Sequence, residues 1–406
     1  MLFTKEGIYD YIAENDVKFI RLAFTDVFGN IKNISILSSQ LMKALDYGIS
    51  IDASAINGFG SEEKSDLFLK PDLDTISLLP WRPSSGRVAR FYCNVIYPDG
   101  SAFELDGRNI LLDAMEKLQK KGIRANFSSE CEFYLFKKDE YDNPTQIPFD
   151  KASYLDIAPD DRGENVRREI ALTLENMHII PESSHHEEGP GQNEIDFKYS
   201  NPLEAADNAI TVKTVIKTIA DNYGLYASFD PKPLKNQPGN GFHINMSVSS
   251  DDDCDYMMYF MAGILHHIKE ITLFLNSNKK SYDRLGSFKA PKYITWSKEN
   301  RSQLIRIPAY RLDSEKRIEL RSPDPLCNPY LAYALLLYAG LDGIENKLKC
   351  SEPVNINLYN ASSEILDKLD KLPKTINEAY EYASSSEFIK RYIPKRILDT
   401  YKNELC

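Results

Sequence analysis

Alternation of apolar and polar residues governs the start of the chain. In VKFIRLAFTDVFGNIKNISIL, residues 17–37, it runs on both sides of a Phe-Gly-Asn turn, the pattern of a β-hairpin. A helix over roughly 39–47 follows, then a second strand pair ending in GRVARFYCNVIY, 86–97. The Gly- and Asp-rich text between them, 52–81, reads mostly as loop. From Leu105 the period lengthens. LDGRNILLDAMEKLQKKG, 105–122, spaces its apolar residues for a helix and stops on glycine, and SECEFYLF, 129–136, then alternates as a strand. Helical patterns at 167–177 and 205–224 interleave with strand patterns at 193–197 and 241–248. No internal repeat is visible. The pattern predicts a small β-rich domain over 1–98 followed by a large α+β domain over 99–406.

Composition narrows the class. A chain of 406 residues is too long for one ordinary core, and 42% hydrophobic with 27% charged residues is globular. A net charge of -11 argues against a general binder of nucleic acid or anionic membranes. The six cysteines lie far apart and form no C-x-x-C pair, so a reducing cytoplasm is the simplest compartment. MLFTKEGIYDYIAEND, 1–16, mixes charge with apolar residues and has no signal-peptide pattern. The apolar run YLAYALLLYAGL, 330–341, is too short to span a bilayer and predicts a buried helix. DDDCD at 251–255 reads as a solvated loop.

The unusual chemistry sits in HHEEGPGQNEIDF, 185–197, where two histidines and four acids crowd thirteen positions. Carboxylates this close repel, so a cation is expected among them. Glu130 and Glu132, two apart on a predicted strand, project from one face. An E-x-E is more often a solvent-facing edge, but Phe133, Leu135 and Phe136 imply a strand packed in a core. Glu187 and Glu194 add to the set. His243 stands on a strand entered through the glycine-rich turn of GNGFHINMSV; alone it would be an ordinary core histidine. His266 and His267, on an apolar helix, keep that ordinary reading. Glu319 lies between Arg317 and Arg321 in KRIELRSPDP, another predicted strand. Five carboxylates and one imidazole, with no thiolate, favour magnesium or manganese over zinc. Arg284, Arg301, Arg306, Arg317 and Arg321 fall within 38 residues and supply guanidinium forks for phosphate or carboxylate. There is no G-x-x-x-x-G-K-[ST] loop. Chemistry alone predicts metal-dependent phosphoryl transfer on an unspecified substrate.

At these residues the chain resembles the glutamine synthetase family, in its bacterial and archaeal type I form. Six runs carry the likeness in order: DASAINGF with KSDLFLKPDLDT, ECEFYLF, SHHEEGPGQNEI, GNGFHINMS, NRSQLIRIP, and RIELRSPDPLCNPYLAYALLLYAGLDGI. The resemblance implies a β-grasp N-terminal domain and a catalytic domain whose curved antiparallel sheet is ringed by helices. It implies two stacked hexameric rings, a homododecamer, with each N-terminal domain completing the neighbour's site. It implies ATP-dependent amidation of glutamate by ammonia through γ-glutamyl phosphate. By the same resemblance Glu132, Glu187 and Glu194 hold one metal, and Glu130, His243 and Glu319 another. Gly239, Arg284 and Arg321 would meet the amino acid, with Glu194 at the ammonium pocket. Arg301 and Arg317 would meet phosphates with Arg306 nearby, and Glu182 and Ser247 match nucleotide-contacting positions. Asp52 would take a proton from ammonium in the adjacent subunit, with Ser54 and Asp66 flanking it.

Four departures stand out. Pro238 replaces the asparagine before Gly239, and Asn245 stands where many members carry a second histidine. The flap reads RLGSFKAP, one residue short, with Lys289 where a shielding glutamate is usual. INLYNASSEILDKLDKLP, 356–373, gives no clear match to the adenylylation loop. Lys289 motivates an alternative, a γ-glutamyl-amine ligase; a non-catalytic assembly protein is a third reading, opposed by the intact acids. Glu188, outside the matched pattern, is expected to be dispensable.

Overall fold

The structure, a computed structural model, describes residues 4–60, 62–252 and 254–406, with the side chains of Glu62 and Ser314 excluded. Part of the DDDCD run thus lies outside the described residues; its Asp251 pairs with Arg124 and its Asp255 with Lys316. The chain opens on a helix, α1 (Lys5–Glu14), where the text reads as strand-like. Thr4 caps it by accepting from the Gly7 amide, and Ile8 and Ile12, one turn apart, are buried. The hairpin then forms as predicted: β1 (Val17–Thr25) pairs antiparallel with β2 (Ile31–Leu37). Next come α2 (Leu41–Tyr47), β3 (Ile49–Asp52), β4 (Asp66–Pro71), β5 (Ser77–Leu78) and β6 (Arg87–Ile96). They make one sheet in the order β2-β1-β6-β4-β3, with β5 also on β6 and β1 parallel to β6.

The expectation of mostly loop over 52–81 holds except for β4 and the short β5. β4 is a full strand between β3 and β6, with Leu67 and Leu69 buried on one face. The glycines and aspartates mark only the bends around it, while DLFLKP keeps the period of a strand.

The second sheet carries the chemistry. Its centre is β7 (Ile123–Lys138), reached through α3 (Gly107–Gln119) and returning through β8 (Pro144–Pro148). After α4 (Glu164–Asn176) come β9 (Pro181–His186) and β10 (Gln192–Phe197). α5 (Pro202–Asn222), β11 (Leu225–Ser228) and β12 (Phe242–Ser250) follow. Past α6 (Met257–Leu275) and α7 (Lys279–Arg284) lie the short β13 (Trp296–Lys298), β14 (Ile305–Ile307) and β15 (Ile318–Leu320). The order is β13-β14-β15-β12-β7-β10-β9, antiparallel except for the β13–β14 pair.

YLAYALLLYAGL is helical and buried on all sides, as α8 (Pro329–Glu345), with Asn328 capping and Pro329 in its first turn. α6 packs on it so closely that a Cβ at Gly263 would stand 1.9 Å from the Ala339 carbonyl. Helices α9 (Ser363–Leu366), α10 (Ile376–Ser385), α11 (Glu387–Tyr392) and α12 (Lys395–Leu405) close the chain. Among the described residues no helix is long and apolar enough to cross a membrane.

A buried charge cluster joins the two sheets. Arg108, on α3, pairs with Asp207 of α5 at 3.0 Å and with Asp72, just past β4, at 2.7 Å. Its pKa lies well above the usual value: burial alone would lower it, but the Asp207 carboxylate overrides that. The Val27 carbonyl accepts from Asn328 and from Tyr401, both at 3.1 Å, and fixes the first hairpin against α8 and α12.

Candidate active site

Strand alternation brings the predicted acids to one surface. Glu130 and Glu132 of β7 face the same way, and the antiparallel register sets Glu194 opposite Glu132 and Asp196 opposite Glu130. On the other side of β7, His243 stands opposite Glu130. Asn245 is then opposite Glu319, and Glu319 opposite Arg306. On β9, His185 stands opposite Glu194. The Gly-Pro-Gly turn after β9 presents Glu187 and Glu188. Glu130, Glu132, His185, Glu187, Glu188, Glu194, Asp196 and His243 floor a cavity of about 460 Å³, with Glu319 buried behind it. Gly239, Arg284, Arg301, Arg306, Arg317, Arg321 and the flap residues Ser287, Phe288 and Lys289 also line it.

Each acid has defined neighbours. Glu132 Oε2 accepts from the Gly241 amide at 2.8 Å and from Gln192 Nε2 at 3.1 Å. Glu130 accepts from Asn245 Nδ2 at 2.8 Å and lies 2.9 Å from His243 Nδ1. Glu319, fully buried, takes Arg306 on one oxygen at 2.7 Å and Arg321 on the other at 3.1 Å. His185 Nε2 lies 3.0 Å from Glu187 and 3.7 Å from Glu194.

The electrostatics show unrelieved repulsion. Burial, then the charges of Asp196, Glu132, Glu130 and Glu187, push Glu194 well above the carboxylate range. Burial and Glu187 also raise Glu132. Asp196 is pushed up to about 7 by burial and by Glu130. Glu130 goes the other way: burial opposes it, but the hydrogen bond and charge of His243 hold it at about 2. Asp196 Oδ1 is buried without a hydrogen-bond partner. Two groups of potential ligand atoms, Glu130–His243–Glu319 and His185–Glu187–Glu194, each lie within 4.8 Å of one another, as does Glu130–Glu194–Asp196. Oxygen donors with one or two imidazoles, short of positive charge, fit hard divalent cations.

The amino-acid side is equally built. A Cβ on Gly239 would meet the Pro231 carbonyl at 2.2 Å and Arg284 Cγ at 2.9 Å, so only glycine lets this loop lie against the guanidinium. Arg284 is buried and donates to the carbonyls of Ser322 at 2.8 Å and Arg321 at 3.2 Å. The Pro238 carbonyl accepts from Tyr134 Oη at 2.8 Å, so the altered turn is held from below. Arg301 is exposed at the mouth, and Arg317 Nε donates to Asn245 Oδ1 at 3.1 Å.

Three predicted positions lie elsewhere in the chain. Ser247 continues the His243–Asn245 face of β12 beyond the lining, and Glu182 is exposed where the β9–β10 register slips. Asp52 is exposed at the end of the edge strand β3, opposite Asp66, and accepts from Ser54 through both amide and hydroxyl. Within the HHEEGPGQNEIDF run, three lining residues are given no individual role by the sequence: Gln192, Asp196 and His185. The signal was there, since 192, 194 and 196 share one strand face.

Residues 104–404 match the family model described as glutamine synthetase, catalytic domain, and residues 16–98 the one described as glutamine synthetase, beta-Grasp domain. The chain belongs to the glutamine synthetase family. A glutamine synthetase of Clostridium saccharobutylicum is 44% identical over 414 residues, covering 98% of this chain and 93% of its own. One from Methanosarcina mazei is 43% identical over 413 residues, with 98% and 92% covered. Among solved structures, Plasmodium falciparum glutamine synthetase superposes with a TM-score of 0.87 at 25% identity, over 99% of this chain and 95% of that one. A structure titled "GmaS/ADP complex-Conformation 1" gives 0.88 at 25% identity, over 97% and 94%. The glutamine synthetase β-grasp and curved catalytic sheet are thus both present.

Proposed function

We propose that the acid-floored cavity is the active site in which this chain joins ammonia to glutamate at the cost of ATP. The activity is that of a glutamate–ammonia ligase, supported by full-length relatives named glutamine synthetase. The observation that carries the site is the meeting of Glu132, Glu194, Glu130 and His243 with five arginines around one cavity. Glu132, Glu187 and Glu194 would hold one divalent ion, magnesium or manganese, and Glu130, His243 and Glu319 a second. Bound there, such ions neutralise phosphate oxygens and polarise the transferred phosphoryl group.

The protein's own groups do the rest. Arg284 and Arg321, both buried beside the cavity, would hold the glutamate carboxylates through their guanidinium groups, a role the family motif supports. The glutamate γ-carboxylate takes the ATP γ-phosphoryl group, with ADP leaving, while Arg301 and Arg317 offset the phosphate charge. Glu182 and Ser247 lie outside the cavity lining and are proposed for the nucleotide only through the family motif. Arg306 is engaged by Glu319 and acts through it. Asp52 of a neighbouring chain takes a proton from ammonium, and the amine attacks the acyl phosphate. An exposed carboxylate at the end of an edge strand, outside its own chain's cavity, supports that assignment. A ring of two stacked hexamers would supply the neighbour.

Amidation by ammonium is preferred to a γ-glutamyl-amine product because Lys289 is paired with Glu188 rather than directed at the acids. The test is phosphate release that requires glutamate and a divalent ion, compared across ammonium, methylamine, ethanolamine and putrescine. Glutamine as the dominant product is expected. An alkylamine with a tenfold higher kcat/KM, about 1.4 kcal/mol of transition-state preference, would overturn it.

A further inference from the structure

Besides a long contact from Arg321 Nη1 to the Lys289 carbonyl at 3.4 Å, the flap, residues 285–290, is clasped at three points. Lys232 donates to Ser287 Oγ at 2.9 Å and to the Gln237 carbonyl at 2.7 Å, and lies 4.3 Å from the Phe288 ring. Tyr359 Oη reaches the Lys289 carbonyl at 2.7 Å and the Arg301 carbonyl at 3.0 Å. The third clasp is the Lys289 ammonium on the Glu188 carboxylate, 101 residues away in sequence. The same ammonium lies 5.7 Å from the Tyr154 ring, which packs edge-on against His185 at 5.5 Å.

Among the described residues, this third clasp alone joins the flap to the acid-bearing turn. Glu188 follows Glu187 directly, and its amide donates to Glu187 Oε2 at 3.1 Å. Phe288 sits at φ 53°, a left-handed conformation that a bulky residue keeps only under restraint. Lys289 and Glu188 both line the cavity, so their pair forms part of its wall.

We infer that the Lys289–Glu188 pair is a positioning device that closes the cavity wall over the acyl phosphate and neutralises the flap lysine beside the amine route. It rests on the proposed ligase reading. An opened wall admits water. Water then attacks the γ-carbonyl, a C–O bond forms, the bond from that carbon to the phosphate oxygen breaks, and a proton goes to solvent. Glutamate and phosphate result instead of glutamine. An exposed pair contributes a few-fold at most, so the effects are graded rather than absolute.

The experiment compares the full chain with Glu188→Gln, Lys289→Met, Lys289→Arg and the swap Glu188→Lys with Lys289→Glu. Phosphate release with glutamate, ATP and magnesium but no ammonium is measured, then phosphate per glutamine with ammonium added. Both neutralising variants should raise ammonium-independent release about two- to five-fold, the swap should return it towards the parent, and Lys289→Arg should match the parent. Glu188→Gln, which leaves an unpaired cation, should also raise KM for ammonium, whereas Lys289→Met should not. Unchanged release in both neutralising variants, or a swap no better than either, overturns the inference. Loss of release through misfolding is separated by melting temperature and by the Lys289→Arg control. A parent chain that makes no glutamine would instead overturn the ligase reading.

Discussion

Glu194 and Glu132 face each other across β10 and β7, two buried carboxylates in directly opposed register. Like charges so placed destabilise a sheet, and burial multiplies the cost. Their backbone pairing is kept by Ile195, Phe197, Phe133 and Leu135, all buried around them. The core therefore holds in place a repulsion that is relieved by taking up a proton, as the raised Glu194 shows, or by a bound cation.

A sign reversal follows. In chelator, Glu132→Gln should melt no lower than the parent and gain about 1 kcal/mol, because a carboxyl whose ionisation is opposed by burial and by Glu187 is gone. With saturating magnesium the parent should gain about 2.7 kcal/mol at a hundredfold excess over Kd, and the variant much less. Turnover of the variant should fall about a hundredfold or more. Thermal melts with and without metal decide it, and the same rank order in both conditions would refute the metal reading.

Asp52 offers a test of the shared site. Asp52→Ala should lose about two orders of magnitude in kcat, the usual worth of a positioned base. Mixed and reassembled with inactive Glu187→Gln chains, it should recover about one quarter of parent activity, because random pairing puts both intact halves at one site in four. Glu187 is the better partner variant than Glu319, whose removal would strand the buried Arg321 and the partly buried Arg306. No recovery despite proven subunit exchange would place Asp52 outside the neighbour's site.

How far the text revealed this site depends on the range of the interaction. Glu130 and Glu132 were legible because a two-residue period puts them on one face whatever the partner strands do. The helix α8 was legible from twelve apolar residues in a row. The opening helix was not, because its two buried isoleucines are too few to set a period against the charged residues around them. β4 was hidden by glycines and aspartates that belong to its flanking bends. Asp196 and Gln192 share a strand face with Glu194, a local signal, but which acids they meet needed the cross-strand register, which no local pattern encodes. Least legible was Glu188: its partner lies 101 residues away, so its expected dispensability gives way to the inferred role in the cavity wall.

Arg108 links the sheets through charges that have almost no water to fall back on. Arg108→Leu leaves Asp207 and Asp72 without their cation, and Asp207 is buried. A loss of about 3–5 kcal/mol is expected from urea unfolding, whereas Lys117→Met, which breaks an exposed pair with Asp113, should change stability by under about 1 kcal/mol. Comparable losses in the two variants would contradict the assignment.

His267 gives the stability a pH dependence away from the active site. Its Nδ1 lies 2.9 Å from Glu270, on the same helix, and its Nε2 3.0 Å from Asp342 of α8. Its ring stacks on Phe388 of α11 at 3.9 Å. Burial alone would lower its pKa, but the hydrogen bonds to the two carboxylates outweigh that and raise it. A group whose folded pKa is raised contributes fully below its unfolded value, near 6.5, and that contribution fades as pH climbs through the folded value. The protonated ring is thus the stabilising form. His267→Gln keeps the polarity but cannot carry the charge, so it should cost about 2 kcal/mol at pH 6 and much less at pH 9. Urea midpoints of both proteins, in saturating magnesium to suppress titration of the active-site acids, should converge as pH rises. Parallel curves across that window would show that the imidazole is neutral throughout.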